Sequence, residues 1–302
     1  MKKIILTIVA IICVTVVFAK TDKNAAKYGF KMMDIPSSSA MLGSGFGGIL
    51  YAKDVFSFGS NPAVALQNNV NKAEFSANSW LFDTVLSSAG IYRSYGKYGL
   101  GAQFRYLDYG KMEERLDNGE YIGDFEPLDM HIQINYAYRL NPDFYLGANF
   151  SLAYEKINTA SSYALAGDLG LIYLTPLKGL KAGFALRNMG ASSEMDSEKI
   201  DLPFRAETSF AYEKSINENL YLDTELNISQ SVSDEAPKEV LSAGLTVFRH
   251  LIVRGGYMIN YDENDYSLGF GVLWKRFNID YAYVPSKISG EDSHAFGLSL
   301  KL

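Results

Sequence analysis

Three histidines and one cysteine are the strongest candidates this 302-residue chain offers to chemistry. A nucleophilic site needs a serine, threonine or cysteine within reach of a base that a third group orients. His131 falls on the polar side of an alternating run, His250 in a short turn, and His294 on the outward face where the last run begins. None of these spacings joins an imidazole to a serine and a carboxylate. Cys13 lies inside a continuous apolar run with Ile12 before it, where a lipid attachment site would have a small residue. No His/Cys/Asp spacing suits a metal, and the glycines from Gly43 to Gly48 do not follow a strand as a phosphate-binding turn does. Asp262, Glu263 and Asp265 read as a solvated acidic loop. We therefore read no catalytic residue, no metal site, no cofactor and no enzyme.

The charged residues point instead to a wall and to what it encloses. Arg105, Asp168, Arg187, Arg205, Glu207, Asp223, Glu225, Arg254 and Asp280 all stand at one parity of alternating segments, interspersed with small residues such as Gly99, Ala164, Gly183 and Gly244. Small walls leave room for something inside. Charges of interleaved sign suggest lateral ion pairs or contacts to a plug, whereas an ion pore separates its charge to create a field. Arg205 and Glu207 lie one short hairpin from Asp223 and Glu225 and are expected to pair with them across strands.

The elements that carry these residues alternate with a period of two from residue 72 to the end. Side chains in a strand point to opposite faces in turn, so parity reports surroundings. Met130, Ile132, Ile134, Tyr136 and Tyr138 oppose His131, Gln133, Asn135 and Ala137, and Leu146 to Leu152 repeat the scheme. Turn signals divide the chain into strands near 72–80, 84–94, 97–107, 128–139, 143–156, 161–174, 178–188, 201–213, 218–230, 238–248, 250–260, 265–274, 276–284 and 293–302. Most reach the roughly 9 to 11 residues that a tilted strand needs to cross a bilayer. The even number suits a bacterial transmembrane antiparallel β-barrel of about 14 strands.

Loop lengths test this independently. Gly96-Lys97, Asn141 to Asp143, Pro176 to Gly179, Ile216 to Asn219, Arg249-His250 and Lys275-Arg276 are short connections, and those between them are generally longer and acidic, above all Asp108 to Pro127. Outer-membrane barrels sort short periplasmic turns from long outer loops in this way. Aromatic residues such as Tyr95, Tyr98, Phe144, Tyr154 and Trp274 cluster near strand ends, as interfacial girdles require. The formal net charge of −6 leaves no basic footprint for nucleic acid.

Lys2 and Lys3 precede an apolar run from Ile4 to Phe18 closed by Ala19, the pattern of a secretory signal cleaved after Ala19. The competing reading, a retained anchor helix, has a run slightly short for a span. The chain thus divides into a signal peptide (1–19), an N-terminal Gly-rich hatch or plug segment (20–71) and the barrel (72–302). The hatch candidates are Gly43, Gly45, Gly47, Gly48, Asp54 and the helix-start signal Asn61-Pro62-Ala63. Standing before strand one, the segment is expected to start on the periplasmic side and fold back into the lumen.

The order of Gly-rich turn, Asp54, Asn61-Pro62-Ala63 with Leu66, and about fourteen alternating strands resembles the PorV/PorQ family, a relative of the FadL long-chain fatty acid transporters. Ser60 stands where that family typically has an aromatic residue, and Leu302 where a terminal phenylalanine is usual. The resemblance implies a bacterial outer-membrane barrel in contact with lipid, with the N-terminal segment as its hatch. It also implies one of two activities. One is passive uptake of hydrophobic small molecules such as long-chain fatty acids, through a blocked lumen and a lateral opening. The other is binding of secretion-system or exported proteins in type IX secretion or envelope anchoring, with the acidic loop 108–127 as candidate surface.

Overall fold

The computed structural model describes residues 28–288 and 290–302. The apolar amino-terminal run, the expected cleavage site at Ala19 and residues 20–27 lie outside the described residues. In chain order the strands are β1 (Asn71–Ser79), β2 (Val85–Ser94), β3 (Tyr98–Asp108), β4 (Met112–Arg115), β5 (Tyr121–Phe125), β6 (Leu128–Arg139), β7 (Phe144–Ile157), β8 (Ala160–Leu174), β9 (Leu180–Ser192), β10 (Glu194–Met195), β11 (Glu198–Lys199), β12 (Arg205–Asn217), β13 (Leu220–Ser231), β14 (Lys238–Val247), β15 (Leu251–Ile259), β16 (Tyr266–Trp274), β17 (Phe277–Val284) and β18 (Ser293–Lys301). Fourteen of them close into one antiparallel barrel, and the β4–β5 and β10–β11 hairpins stand apart as loop elements. Closure sets Phe75 of β1 opposite Leu298 of β18 and Ala77 opposite Phe296. It leaves no unpaired strand edge, the condition for crossing lipid with strands. No helix among the described residues is long and apolar enough to cross a membrane.

Burial inverts the rule of soluble proteins. On β6, His131, Gln133 and Asn135 are at most 3% exposed, while Ile132 and Ile134 are 49% and 55% exposed. The polar face is the interior and the apolar face looks outward. Stacked pairs Tyr95–Tyr98, Phe144–Tyr173 and Trp274–Phe277 sit at the short-turn end, and Tyr154–Tyr163 and Tyr281–Phe296 lie toward the opposite rim. These are the two girdles expected of a membrane barrel.

The strands fall within a few residues of their predicted places except where two limits shift together. β9 continues to Ser192 and β12 begins only at Arg205. Leu202 is drawn into a buried cluster with Phe30 and Met33, and Pro203 has no N–H to give a ladder. The loops sort by length as expected with one exception: β7 and β8 are joined at the long-loop rim by residues 158–159 alone.

Residues 28–70 lie in the lumen, as expected; the side on which the segment starts falls within residues 20–27, outside the described residues. Tyr28 bridges to Asp201 and the Phe30 N–H donates to Glu155 at 2.5 Å, both at the long-loop rim. At the turn end, Ser94 Oγ donates to the Val70 carbonyl. The described part of the segment therefore begins at the long-loop rim and runs down the lumen to β1. The room left by small wall residues is taken up by plug atoms, as at Gly147, Gly170 and Gly256.

Candidate functional site

The plug has little regular structure: single turns at Lys31–Asp34, Ser39–Leu42, Phe56–Gly59 and Val64–Gln67. A buried backbone without ladders must find other partners. Some come from the plug itself. Ser38 Oγ accepts the Met41 N–H at 3.1 Å and donates to Asp54 at 2.7 Å, and Asp54 also accepts the Ser57 N–H at 2.8 Å. Gly45 and Gly48 adopt φ of 69° and 72°, the left-handed region that glycine enters without penalty, and they reverse the chain between Leu42 and Ile49.

The wall supplies the rest. Glu225 accepts the N–H groups of Ile49 and Leu50 at 2.9 and 2.7 Å, and Glu74 accepts that of Val55 at 2.8 Å. Lys181 donates to the Leu50 carbonyl at 2.8 Å and pairs with Glu213 at 2.5 Å. Arg105 donates to the carbonyls of Met32 and Ile35, and Arg187 to that of Met33 at 2.9 Å. The Asn61-Pro62-Ala63 corner is clasped from both sides: Asn61 Oδ1 accepts the Ala63 N–H, Asn61 Nδ2 reaches the Phe184 carbonyl, and Asn135 Nδ2 donates to the Pro62 carbonyl at 2.9 Å. Here the corner lies against bare wall, since a Cβ on Gly147 would collide with the Pro62 carbonyl group.

The lumen divides at the middle of the plug. Toward the short turns, Leu50, Val55, Phe56, Phe58, Val64, Leu66, Tyr92 and Ile172 form one buried apolar cluster that closes the passage. Toward the loops, a vestibule of about 700 Å³ opens between the plug and β12–β16. Phe46, Trp80 and Tyr261 form an aromatic side, with Phe46 5.8 Å from Trp80 and 5.7 Å from Tyr261. The other side is charged: Arg205 lies 3.2 Å from Asp34 and 3.4 Å from Asp234, which also holds Lys238 at 3.2 Å. Burial would raise the Asp34 carboxyl, but the Arg205 and Arg187 charges outweigh it and hold it below the usual aspartate range.

The structure sorts the predicted lumen charges into both expected classes. Arg187–Glu207 at 3.1 Å and Arg254–Asp280 at 2.6 Å are lateral ion pairs; Arg105, Arg205 and Glu225 hold the plug. Asp168 accepts from Gln133, Asn149 and the Asn188 N–H, each at 2.8 Å. Asn188 belongs to a β-bulge opposite Asp168, where the β8–β9 register shifts and the side chains of Arg187 and Asn188 are both buried. The expected pairing of Arg205 and Glu207 with Asp223 and Glu225 is overturned. The register sets Arg205 opposite Ser231, Glu207 opposite Ser229 and Asp223 opposite Glu213, so the four charges stand at different heights. Asp34, Glu74 and Lys181 were missed. Inward parity on β1 and β9 could have found the last two; nothing in the irregular segment signalled Asp34.

His131 is buried, His250 Nδ1 lies 3.2 Å from the Leu273 carbonyl, and His294 meets the Tyr281 hydroxyl at 2.8 Å on the outward face. Among the described residues no three His, Cys, Asp or Glu gather as a metal shell would need. Outside the wall, over Gly147 and Gly170, an apolar hollow of about 660 Å³ is lined by Tyr136, Tyr138, Leu146, Leu169 and Phe184.

No family model matches the chain, and no curated protein matches it. Solved structures do. The toluene transporter TbuX of Ralstonia pickettii superposes with a TM-score of 0.58 at 13% identity, over 88% of this chain and 98% of that one. A Pseudomonas aeruginosa FadL homologue gives 0.53 at 13% identity over 87% and 97%. The Pseudomonas putida toluene transporter TodX gives 0.53 at 12% identity over 80% and 90%. At such identities the likeness is one of fold: this chain is a closed 14-stranded barrel of the architecture seen in FadL-type proteins.

Proposed function

We propose that this protein is a gated channel of the bacterial outer membrane, exported by its N-terminal signal peptide, for passive uptake of hydrophobic small molecules such as long-chain fatty acids or monoaromatic compounds. The observation that carries the reading is the plug. A lumen closed by an apolar cluster does not serve as an open aqueous pore, whereas an irregular plug held largely by side chains can rearrange without unravelling a sheet. The aromatic side of the vestibule offers a first resting place, and the apolar hollow over Gly147 and Gly170 offers a lipid-side landing for an acyl chain. The likeness to two toluene transporters and a FadL homologue supports the same substrate class.

Uptake of radiolabelled palmitate and of toluene into cells producing the full chain tests this, with a variant lacking Pro36 to Ala63 as comparison. Saturable uptake that the deletion converts to non-selective leakage supports the reading. Uptake no greater than in cells without the protein sinks it.

The loop between β3 and β6 favours a second reading. Its β4–β5 hairpin exposes Leu116, Tyr121 and Ile122 among Glu113, Glu114, Asp117, Glu120 and Asp124, and apolar groups rimmed by charge suit a protein partner. A PorV-like barrel that binds exported or secretion proteins would use this surface. Cross-linking from Tyr121 in whole cells would recover such a partner, and recovery of lipid alone would leave this reading without support.

A further inference from the structure

Beneath the vestibule, where Ile35 to Ser37 of the plug face β3, β6 and β9, lies a second cavity of about 20 Å³. That is room for about one water-sized particle. Ser37, Gln103, Arg105, His131 and Arg187 line it, and each is at most 8% exposed. Ser37 Oγ, Gln103 Oε1, both nitrogens of His131 and the Nε atoms of Arg105 and Arg187 have no hydrogen-bond partner among the described residues. Buried polar groups are almost always paired, and six unpaired atoms on five residues that line one small space call for a partner that is not protein.

The character of these atoms narrows its identity. Each arginine Nε is a donor only, and Ser37 and His131 each have a hydrogen to give. Gln103 Oε1 and one ring nitrogen of a neutral His131 are the acceptors, against four atoms that can donate. The orientation of Gln103 is inherited: Asp168 takes the Gln133 amide nitrogen at 2.8 Å, so Gln133 Oε1 receives Gln103 Nε2 at 2.6 Å. Charge points the same way. Arg187 has Glu207, and Asp34, which also lines the cavity, is turned to Arg205 and Asn188. Arg105 bonds only to the Met32 and Ile35 carbonyls and makes no direct ion pair among the described residues; the Asp34 and Asp129 carboxylates act on it without touching it. A buried cation whose counter-charges stand off is costly. We infer that this cavity binds one small monatomic anion of the halide class, which neutralises Arg105 and ties the plug to the wall. The space is too small for sulfate, phosphate or a carboxylic acid, and although Asp34, Ile35, Pro36, Ser60 and Arg187 also border the vestibule, the test reads halide binding and not what the channel passes.

The full chain, folded in detergent, supplies the test. Hydrogen exchange across residues 30–42 is compared in sodium chloride and sodium gluconate at equal ionic strength, and crystals grown in sodium bromide are examined for anomalous signal. Chloride at about ten times its dissociation constant should slow the opening of this segment roughly tenfold, with a bromide peak in the cavity. In Arg105→Gln, which keeps a donor but not the charge, the chloride effect should vanish. Two results would overturn the proposal in the wild-type chain alone: a cavity that shows water and no bromide peak, or a peak with identical exchange in both salts, which would mark an adventitious ion only.

Discussion

The two halves of the lumen are built on different physics. Toward the short turns, plug and wall interlock around a buried apolar cluster, with Pro62 seated against Gly147 and single charged side chains, Glu225, Glu74 and Lys181, each holding plug backbone. Toward the loops, the same segment is held by charge beside a vestibule of about 700 Å³. Close packing tolerates neither added volume nor an orphaned donor, whereas a charged group beside solvent regains hydration when its partner is lost. In the proposed channel the lower half would act as the seal and the upper half as the part that responds to a ligand.

Substitutions can break that contrast. The largest effect is expected from Gly147→Val, whose side chain would displace the Asn61-Pro62-Ala63 corner at a cost of about 3 kcal/mol. Planar-bilayer recordings should show the closed barrel become leaky, and unchanged conductance would deny the lower seal. Glu225→Ala comes next, since it strips two buried N–H groups of their acceptor, at about 1 to 3 kcal/mol each. Exchange at Ile49 and Leu50 should accelerate while exchange in the barrel strands does not.

Asp34→Asn sharpens the contrast from above, with an expected cost of about 1 to 2 kcal/mol, because Arg205 loses one carboxylate and keeps Asp234. It also carries a pH signature. The Asp34 carboxyl is held below its ordinary range in the folded chain by Arg205 and Arg187, against the opposing effect of burial. Its contribution is therefore fully present above the unfolded value of about 3.9 and is lost as pH falls through the lowered folded value. Trp80 fluorescence should report loosening of the upper plug only on such acidification, and the Asn variant should lose that step. The smallest effect belongs to removal of residues 112–125. Heat-modifiable gel mobility and conductance should be unchanged, because the β4–β5 hairpin is separate from the barrel sheet.

Much of the wall was legible because it is periodic. Ile132, Ile134 and Phe150 declared the lipid face and His131, Gln133 and Asn149 the interior, since a one-residue slip would exchange the two. The same parity placed Arg105, Arg187 and Glu225 inside. It was silent about height, so it could not show that Glu207 meets Arg187 while Asp223 stands opposite Glu213. The plug was legible only in composition: Gly43 to Gly48 and Asn61-Pro62-Ala63 announced tight turns, and their wall partners, such as Asn135, Phe184 and Ser267, lay far along the chain.

The sequence by itself determined a closed barrel of 14 strands, its inside and outside, and its long-loop and short-turn rims, because strand alternation and turn chemistry are local. Only the tertiary structure decided which way the plug runs, which charges hold it, how the lumen is filled, and where the vestibule opens. Those outcomes depend on contacts between an aperiodic segment and fourteen strands at once, and no short-range pattern in the chain encodes them.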